Sequence, residues 1–339
     1  MSHIIKDQPI ALRDTANWIR RRLDELVSVF DGVENVYLVG CGDSYFVAIY
    51  GALLFEKFTN LQAQAFESYE FWKYKSNIWD KSVLVAISAS GRTSKTIEAA
   101  KYAKKKGLKI LAVTNDALSP LARILDLCIE TQVTKPFGPP SATSTTAMLS
   151  LNMLTRELGG VRIGSAESLI KWIESNMRTL LAQASKDAEM LVKKSYAYLV
   201  GAGPGFVSAL FGGAKLREAA WLHSIPFEAE EFSHYGMISI DQGDIVFLNA
   251  FKGESISKMR ALSEALNSIK AKPVILTNDT ETRWSGRVVE LPQMDEFNIA
   301  IIATIYYQIL AIETARKKKL PVIGFRYSKI LSQLIGYYE

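Results

Sequence analysis

The segment YLVGCGDSYFVAIYG, residues 37–51, decides how the chain folds. An apolar run typical of a buried strand gives way to a glycine-rich turn, and then to apolar residues at helical spacing. A close copy, YLVGAGPGFVSALFG, lies at residues 198–212. A second pair, LAVTND at 111–116 and VILTND at 274–279, repeats at nearly the same offset. Two matches at one offset indicate a tandem duplication of a single type of domain.

Within each copy, short β-branched runs alternate with amphipathic stretches. The first copy has strands VYLVG, SVLVAIS and KILAVTN, and the second has AYLVG, DIVFLNA and KPVILTN, with FVSALFGGAKLREAAWLH read as a helix. Strands that are apolar on both faces and separated by helices predict a doubly wound α/β fold with a parallel sheet. A helical stretch over 166–194 connects the copies. We therefore divide the chain into domains 1–165 and 166–339.

Composition excludes several functional classes. The 339 residues are 48% apolar and 22% charged, with a net charge of +5. The basic clusters KYAKKKGLK (101–109) and ARKKKL (315–320) fall where helices end, and lysine there complements the helix dipole. We expect no nucleic-acid partner and no membrane span, since the apolar run at 299–319 is interrupted. The two cysteines, each in apolar sequence, do not suggest a disulfide framework, so we expect a cytoplasmic protein. The cysteines and the three histidines show no spacing typical of a metal site, and we expect neither a metal nor a cofactor.

Three segments place hydroxyl groups at the end of a predicted strand or the start of a predicted helix. Residues 83–94 read VLVAISASGRTS, with Ser88, Ser90 and Thr93 after the apolar run. Ligands of open parallel sheets bind at this edge, and helix N-termini attract anions. The loop therefore predicts a phosphate site, although serine and threonine are equally typical of simple helix N-caps.

The other two segments favour the phosphate site. GCGDS (40–44) places Ser44 at the start of the next helix, but it lacks the third glycine of a dinucleotide-binding turn. GPPSATSTTAM (138–148) carries five hydroxyls, among them Ser144, before an apolar helix. Three such loops in one domain exceed what helix capping requires.

Together, VGCGDSY, ISASGRTS and PSATSTTA resemble the SIS (sugar isomerase) domain family. The tandem arrangement is similar to the isomerase half of glucosamine-6-phosphate synthases, over essentially the whole chain from about residue 35. The resemblance implies that Ser44, Ser88, Ser90, Thr93 and Ser144 bind a hexose 6-phosphate. The usual S-Q-S-G-E-T loop reads SASGRT here, so a side-chain amide and a carboxylate of the family loop are replaced by Ala89 and Arg92.

The resemblance also implies catalytic residues. KLREA matches the family's K-L-K-E, which makes Glu218 the proton-transferring base. EEFSHYG aligns with G-E-L-K-H-G-P, which makes His234 the ring-opening residue, contributed across a homodimer interface, although Tyr235 stands where the family has glycine. Lys329 is the candidate amine of the C-terminal tail. Without the resemblance, Glu218 reads as a helical carboxylate paired with Lys215 or Arg217, His234 as a loop or core histidine, and Lys329 as a surface lysine.

The reaction that this resemblance favours converts glucosamine 6-phosphate to fructose 6-phosphate and ammonia. The chain reaches the sugar domain after about one helix, so we expect no glutaminase activity. Ketol isomerisation of a phosphohexose and splitting of sugar-phosphate adducts of amino acids use the same acid–base groups and remain alternatives. A non-catalytic sugar-phosphate sensor is a further alternative, but only 34 residues precede the first strand, too few for a DNA-binding module.

Overall fold

The computed structural model describes residues 7–125, 127–134, 142–161, 165–321 and 326–336. The chain forms two compact units. The first consists of Met1–Phe137, Ser141–Lys171 and Tyr327–Glu339, and the second of Gly138–Pro140 and Trp172–Arg326. Each unit contains a five-stranded parallel sheet with flanking helices, which confirms the predicted α/β class. The C-terminal segment belongs to the first unit, although the sequence division placed it with the second copy.

The first unit opens with two helices before its first strand. In order, its elements are α1 (Gln8–Arg21), α2 (Leu23–Ser28), β1 (Asn35–Gly40), α3 (Asp43–Phe58), β2 (Gln62–Glu67), α4 (Ser68–Tyr74), β3 (Ser82–Ile87), α5 (Ser94–Lys105), β4 (Lys109–Thr114), a 3₁₀ turn (Ala122–Ile124), β5 (Leu127–Glu130) and α6 (Ala142–Leu158). The long helix α7 (Ser165–Leu191) then leads into the second unit.

The second unit repeats this order. Its elements are β6 (Tyr196–Gly201), α8 (Pro204–Ala220), β7 (His223–Glu228), α9 (Ala229–Glu231), a π-helical turn (Phe232–Gly236), a 3₁₀ turn (Met237–Ser239), β8 (Ile245–Ala250), α10 (Ile256–Ser268), β9 (Lys272–Thr277), β10 (Arg287–Glu290) and α11 (Glu296–Lys317). The terminal helix α12 (Ser328–Ile335) belongs to the first unit.

Both sheets have the same strand order. The order is β2-β1-β3-β4-β5 in the first unit and β7-β6-β8-β9-β10 in the second. In the first sheet Val39 lies between Phe66 and Ala86, and in the second Val200 lies between Phe227 and Leu248. The duplication read from the sequence is therefore a duplication of topology and of register.

One boundary in the second unit differs from the sequence prediction. The predicted helix FVSALFGGAKLREAAWLH ends at Ala220, because Trp221 adopts a left-handed conformation (φ 51°) that stops the helix. His223 then begins β7, the edge strand of the sheet, where a proline such as Pro226 is tolerated. The sequence analysis did not predict the strands β5, β7 and β10. Each is short or polar and lacks the long apolar run that marks the central strands.

The apolar segment at 299–319 forms most of helix α11. In the part of the chain that the structure describes, α11 alone is long and apolar enough to cross a membrane by length and composition. Of its apolar 18-residue window, 94% is buried inside the protein. It packs against α8, with Tyr307 beside Gly212 and Tyr306 in the core. The sequence favoured a helix that packs in a core or a subunit contact over a membrane span, and within this chain the helix packs in the core.

A buried ion pair anchors α7 to the second sheet. The Asp187 carboxylate is fully buried and accepts hydrogen bonds from Arg287 of β10, one of them at 2.9 Å from Nη2. The Tyr306 hydroxyl donates to the same carboxylate at 2.6 Å. This pairing satisfies a charge that would be costly to bury alone. It fixes where α7 enters the second unit.

Equivalent turns in the two units allow a test of backbone strain. Gly107 follows α5 with φ 82°, and Lys270 follows α10 with φ 60°. The helix end is otherwise the same, since Leu108 N–H donates to Ala103 and Ala271 N–H donates to Leu266. A side chain in this left-handed region costs about 1 kcal/mol relative to glycine.

We therefore expect Lys270→Gly to stabilise the protein by roughly 1 kcal/mol, because it removes this strain from an exposed position. The denaturant midpoint of the second unit's unfolding transition measures the effect. The converse change, Gly107→Lys, should destabilise the first unit by a similar amount. A lower midpoint for Lys270→Gly would contradict the assignment of strain to this turn.

Candidate active site

The first sheet reverses its strand order between β1 and β3. From β1 the chain crosses through α3 to β2, and from β3 it crosses through α5 to β4, in the opposite direction. Right-handed crossovers therefore place α3 and α5 on opposite faces of the sheet, which leaves a crevice beyond the strand ends. The loop after β1 contains Ser44 at the start of α3, and the loop after β3 contains Ser88, Ser90 and Thr93. The topology thus brings four of the predicted binding residues to one crevice.

The loop after β3 is not a simple helix cap. Thr93 is the N-cap residue of α5, but its side chain makes no capping hydrogen bond. Its hydroxyl lies 3.1 Å from the hydroxyl of Ser88. The Ser90 hydroxyl accepts the backbone N–H of Arg92 at 3.2 Å. Both observations favour the ligand-binding interpretation over the capping alternative, because the hydroxyls are ordered by the loop itself.

The loop conformation depends on close packing at Gly91. This residue has φ 62°, and a Cβ atom on it would lie 2.0 Å from the Ser119 hydroxyl. Its carbonyl accepts the N–H of Leu121. The Arg92 side chain, which replaces an acidic residue of the family loop, reaches Asp116 at 3.4 Å. Arg92 is therefore held beside the loop, with 40% of its side chain exposed.

The turn after β1 is equally tight. A Cβ atom on Gly40 would lie 2.4 Å from the carbonyl carbon of Ser44, so only glycine lets α3 begin this close to the strand. Asp43, at the start of α3, accepts a hydrogen bond from Ser144 at 3.1 Å. This hydrogen bond joins the hydroxyl segment 138–148 to the turn at 40–44. Ser141 of that segment lies outside the described residues, and Thr145 and Thr146 are buried and bonded within α1 and α6.

Cys41 lies in the same turn but is poorly suited to nucleophilic chemistry. Burial raises the pKa of its thiol to about 11, and a hydrogen bond to Glu67 at 3.0 Å adds to the rise. The thiol therefore stays protonated near neutral pH, where the thiolate is the reactive form. Glu67 also caps α4 through the N–H groups of Tyr69 and Glu70.

The corresponding crevice of the second sheet lies between β6 and β8 and has different chemistry. After β8 the loop carries Gly253, and the carboxylate of Glu296 lies 2.8 Å from the position that a Cβ on this glycine would take. The N–H of Lys252 donates to Asn278 at 2.7 Å. A carboxylate at this place disfavours a phosphate.

Glu218 lies in the last turn of α8. Its carboxylate accepts a hydrogen bond from Lys215 at 2.7 Å. The Lys215 side chain is 5% exposed, whereas that of Glu218 is 26% exposed. The pairing predicted by the simple helical reading is present, but it is not a solvated surface pair. The buried ammonium of Lys215 instead orients the partly accessible carboxylate of Glu218.

His234 lies in the π-helical turn after β7. Its side chain is 64% exposed, and Nε2 lies 3.4 Å from Glu230. An ion pair with Lys258 lowers the pKa of Glu230 below its usual value. Tyr235 beside it is also exposed, at 65%. His234 is therefore a surface residue, and not the buried core histidine that was one reading of the sequence.

Within the second unit Glu218 and His234 lie at opposite ends of the strand β7. Helix α8 begins beyond the end of β6 and runs back about 20 Å before it reaches Glu218, close to the start of β7. His234 follows the end of β7. Within one chain the two predicted catalytic residues are therefore about one strand length apart.

Lys329 lies on α12 with an exposed side chain. This helix is attached to the start of α5: Ser94 N–H donates to the Gly336 carbonyl at 3.1 Å, and the Ser94 hydroxyl donates to the Ile335 carbonyl at 3.3 Å. The tail therefore lies beside the Ser88–Thr93 loop. Sequence reasoning did not predict this contact, and only the apolar, helical pattern of the tail hinted at a packed element.

Over 7–125, 127–134, 142–161, 165–321 and 326–336, no three His, Cys, Asp or Glu side chains are grouped to hold an ion.

Known proteins share this architecture. A glutamine–fructose-6-phosphate aminotransferase (isomerizing) of Thermococcus kodakarensis is 29% identical over 325 residues, covering 92% of this chain and 54% of the relative. The chain thus spans about half the length of the curated relatives it matches. The C-terminal domain of glucosamine-fructose-6-phosphate aminotransferase from Francisella tularensis superposes with a TM-score of 0.84 at 20% identity, covering 95% of this chain and 98% of that one.

A glucosamine-6-phosphate deaminase from Thermotoga maritima has the same fold, with a TM-score of 0.76 at 19% identity over 93% of this chain and 98% of that one. The SIS domain model matches residues 31–157 and 190–318, one match in each unit. The chain therefore belongs to the SIS domain family, with two copies of the domain in tandem.

Proposed function

We propose that this protein is a phosphosugar isomerase that converts glucosamine 6-phosphate to fructose 6-phosphate and ammonia. The observation that carries the proposal is the crevice between β1 and β3, where Ser88 and Thr93 pair their hydroxyls without capping α5. Hydroxyl groups ordered at a helix start suit the phosphate of a sugar. The similarity to enzymes named for fructose 6-phosphate and glucosamine 6-phosphate supports the same substrate class.

In the proposed mechanism the phosphate binds Ser44, Ser88, Ser90 and Thr93, with Ser144 supporting the site through Asp43. His234 protonates the ring oxygen as the ring opens. Glu218 removes the proton from C2 and returns it to C1, which converts the amino aldose to a ketose imine. Water adds to C2, the C–N bond breaks, and ammonia leaves with fructose 6-phosphate. Lys215 positions the Glu218 carboxylate.

Glu218 and His234 lie at opposite ends of β7 in one chain. We therefore propose that a complete site combines Glu218 of one subunit of a homodimer with His234 of the other. The exposure of His234 and Tyr235 supports this assignment, since both side chains are available to a partner. Lys329 is then a further substrate contact, carried by the tail beside the phosphate loop.

The direct test is incubation with glucosamine 6-phosphate and, separately, with glucose 6-phosphate, with ammonia and ketose measured independently. Ammonia and ketose in equal amounts from the amino sugar support the proposal, and added glutamine should have no effect. Ketose from glucose 6-phosphate alone would identify a ketol isomerase instead.

We expect Glu218→Gln to lower kcat by a factor of about 10² to 10⁴, because it removes the proton-transferring base while preserving shape. Affinity for the phosphosugar, measured by calorimetry, should stay near normal. Glu264→Gln, which changes an exposed carboxylate on α10, is the matched control and should keep full activity. Undiminished turnover in Glu218→Gln would refute the catalytic role.

The double change Ser90→Ala and Thr93→Ala should instead weaken binding, by roughly 1–3 kcal/mol for each lost hydrogen bond to the charged phosphate. Calorimetry with fructose 6-phosphate measures this loss. Ser255 is the N-cap residue of α10 and is the counterpart of Thr93 in the second copy. The control Ser255→Ala should leave affinity unchanged. If the double variant binds as tightly as the wild type, the phosphate lies elsewhere.

Subunit mixing tests the shared site. Glu218→Gln and His234→Ala should each be inactive alone, but an equal mixture that exchanges subunits should recover about a quarter of wild-type activity. Half of the dimers then contain both variants, and each of those has one intact site. Absence of recovery, with subunit exchange verified by size and labelling, would show that one chain supplies both residues.

A further inference from the structure

The residues assigned above to the substrate's phosphate do not balance its charge. All five offer neutral hydroxyl groups. The carboxylate of Asp43, which accepts a hydrogen bond from Ser144 at 3.1 Å, adds a negative charge beside them. A phosphate monoester has a charge of about −1.5 to −2 near pH 7, whereas the start of a helix supplies about half a positive charge. An anion that leaves water for a partly buried crevice needs a charged partner, so the site requires a cation.

Helix α5 begins with a lysine that the helix dipole disfavours. Lys95 is the second residue of α5, and the first turn of this helix contains no acidic residue. A positive charge at a helix start opposes the dipole. The first turn of α10 in the second copy also contains a lysine, Lys258, but that lysine forms an ion pair with Glu230. Within the described parts of the chain, no carboxylate oxygen lies within 4 Å of the Lys95 ammonium. Its charge is therefore not neutralised by the protein.

The Lys95 side chain extends toward the end of β1. Its ammonium lies 5.7 Å from the centroid of the Trp72 indole. Trp72 belongs to α4, which follows β2, whereas α5 follows β3, and β1 lies between these two strands. The next residue, Thr96, has the same direction, since its hydroxyl lies 3.0 Å from the Ser68 hydroxyl and 3.7 Å from the Cys41 thiol. The first turn of α5 thus faces the turn at 40–44, where Ser44 lies.

Arg92 is the other cation beside Thr93, and it points away from β1. Its Nη2 atom lies 3.4 Å from the carboxylate of Asp116, which follows β4 on the opposite side of β3. Arg92 therefore already has an anionic partner. Lys95 has a cation–π contact instead, which is weaker than a charge-assisted hydrogen bond to phosphate. Its flexible four-carbon stem allows the ammonium to leave Trp72 without movement of the backbone.

We infer that Lys95 is the cationic ligand of the substrate's phosphate. When the phosphate enters the crevice, the Lys95 ammonium exchanges the Trp72 indole for a phosphate oxygen, while the hydroxyls of Ser88 and Thr93 donate hydrogen bonds to the same group. Lys95 then makes the site selective for sugars with a doubly charged phosphate. This inference rests on the proposed function for the place of the phosphate between β1 and β3.

Calorimetry with fructose 6-phosphate tests the contact. Lys95→Gln should raise the Kd by a factor of about 10 to 100, the usual effect of losing a hydrogen bond to a charged group. Rising salt should weaken binding by the wild type more than binding by this variant. Lys95→Arg keeps the charge and should stay within about threefold of the wild-type Kd. Thermal stability of Lys95→Gln should not fall, because the change removes a charge that opposes the dipole of α5.

A second probe measures charge recognition directly. Fructose 6-sulfate has nearly the shape of fructose 6-phosphate but only one negative charge on the ester group. The wild type should prefer the phosphate, and Lys95→Gln should lose about tenfold of this preference. A lysine with a purely structural role would weaken both ligands equally.

Lys73→Gln is the matched control. The Lys73 ammonium lies 3.8 Å from the centroid of the same indole, on the exposed side of α4, so the change removes an equal charge from the same neighbourhood. Its Kd for fructose 6-phosphate should stay within about twofold of the wild-type value. An equal loss of affinity in Lys73→Gln and Lys95→Gln would assign the effect to the general positive field and overturn the inference.

The outcomes also separate Lys95 from the proposed reaction. Equal affinity of the wild type and Lys95→Gln for fructose 6-phosphate, with ammonia released from glucosamine 6-phosphate, would remove the role of Lys95 and leave the proposed function standing. Loss of affinity in Lys95→Gln without ammonia release by the wild type would keep the phosphate contact and overturn the reaction. A wild type that does not bind fructose 6-phosphate would overturn both.

Discussion

The reversal of strand order between β1 and β3 is the constraint on which the proposed phosphate site depends. Two neighbouring strands send their following helices to opposite faces of the sheet, so no helix covers the point where both strands end. The loops there must satisfy their own backbone groups. Small hydroxyl side chains and glycine do this while leaving space, as Ser88, Gly91 and Thr93 illustrate.

The second copy has the same turn after its first strand but different side chains beside it. Its strand-to-helix turn is as tight as the first, since a Cβ on Gly201 would lie 2.2 Å from the carbonyl carbon of Gly205. The crevice beside that turn, however, contains the carboxylate of Glu296. The distinctive residues of this copy lie instead at the far end of α8, where Glu218 meets the buried Lys215. The two copies therefore share one topology, while the candidate residues lie beyond the strand ends in the first copy and near the strand starts, at Glu218, in the second.

Residue patterns predicted the fold and the hydroxyl loops, because apolar strands and glycine-rich turns are local features. They failed where a residue's conformation depends on its neighbours in space. The sequence continued α8 through Trp221 because its apolar spacing is helical, but the left-handed turn at Trp221 starts an edge strand instead. Likewise, no local signal indicated that Lys215 is buried or that the tail bonds to Ser94.

The sequence by itself determined that two α/β domains follow one another, and that hydroxyl groups end the strands of the first. Both depend on the order of residues along one segment, where side-chain type and spacing act directly on the backbone. Only the tertiary structure decided which side chains share a site. It separated Glu218 from His234 and brought Lys95 to Trp72, because helix length and strand direction place residues in space independently of their distance along the chain.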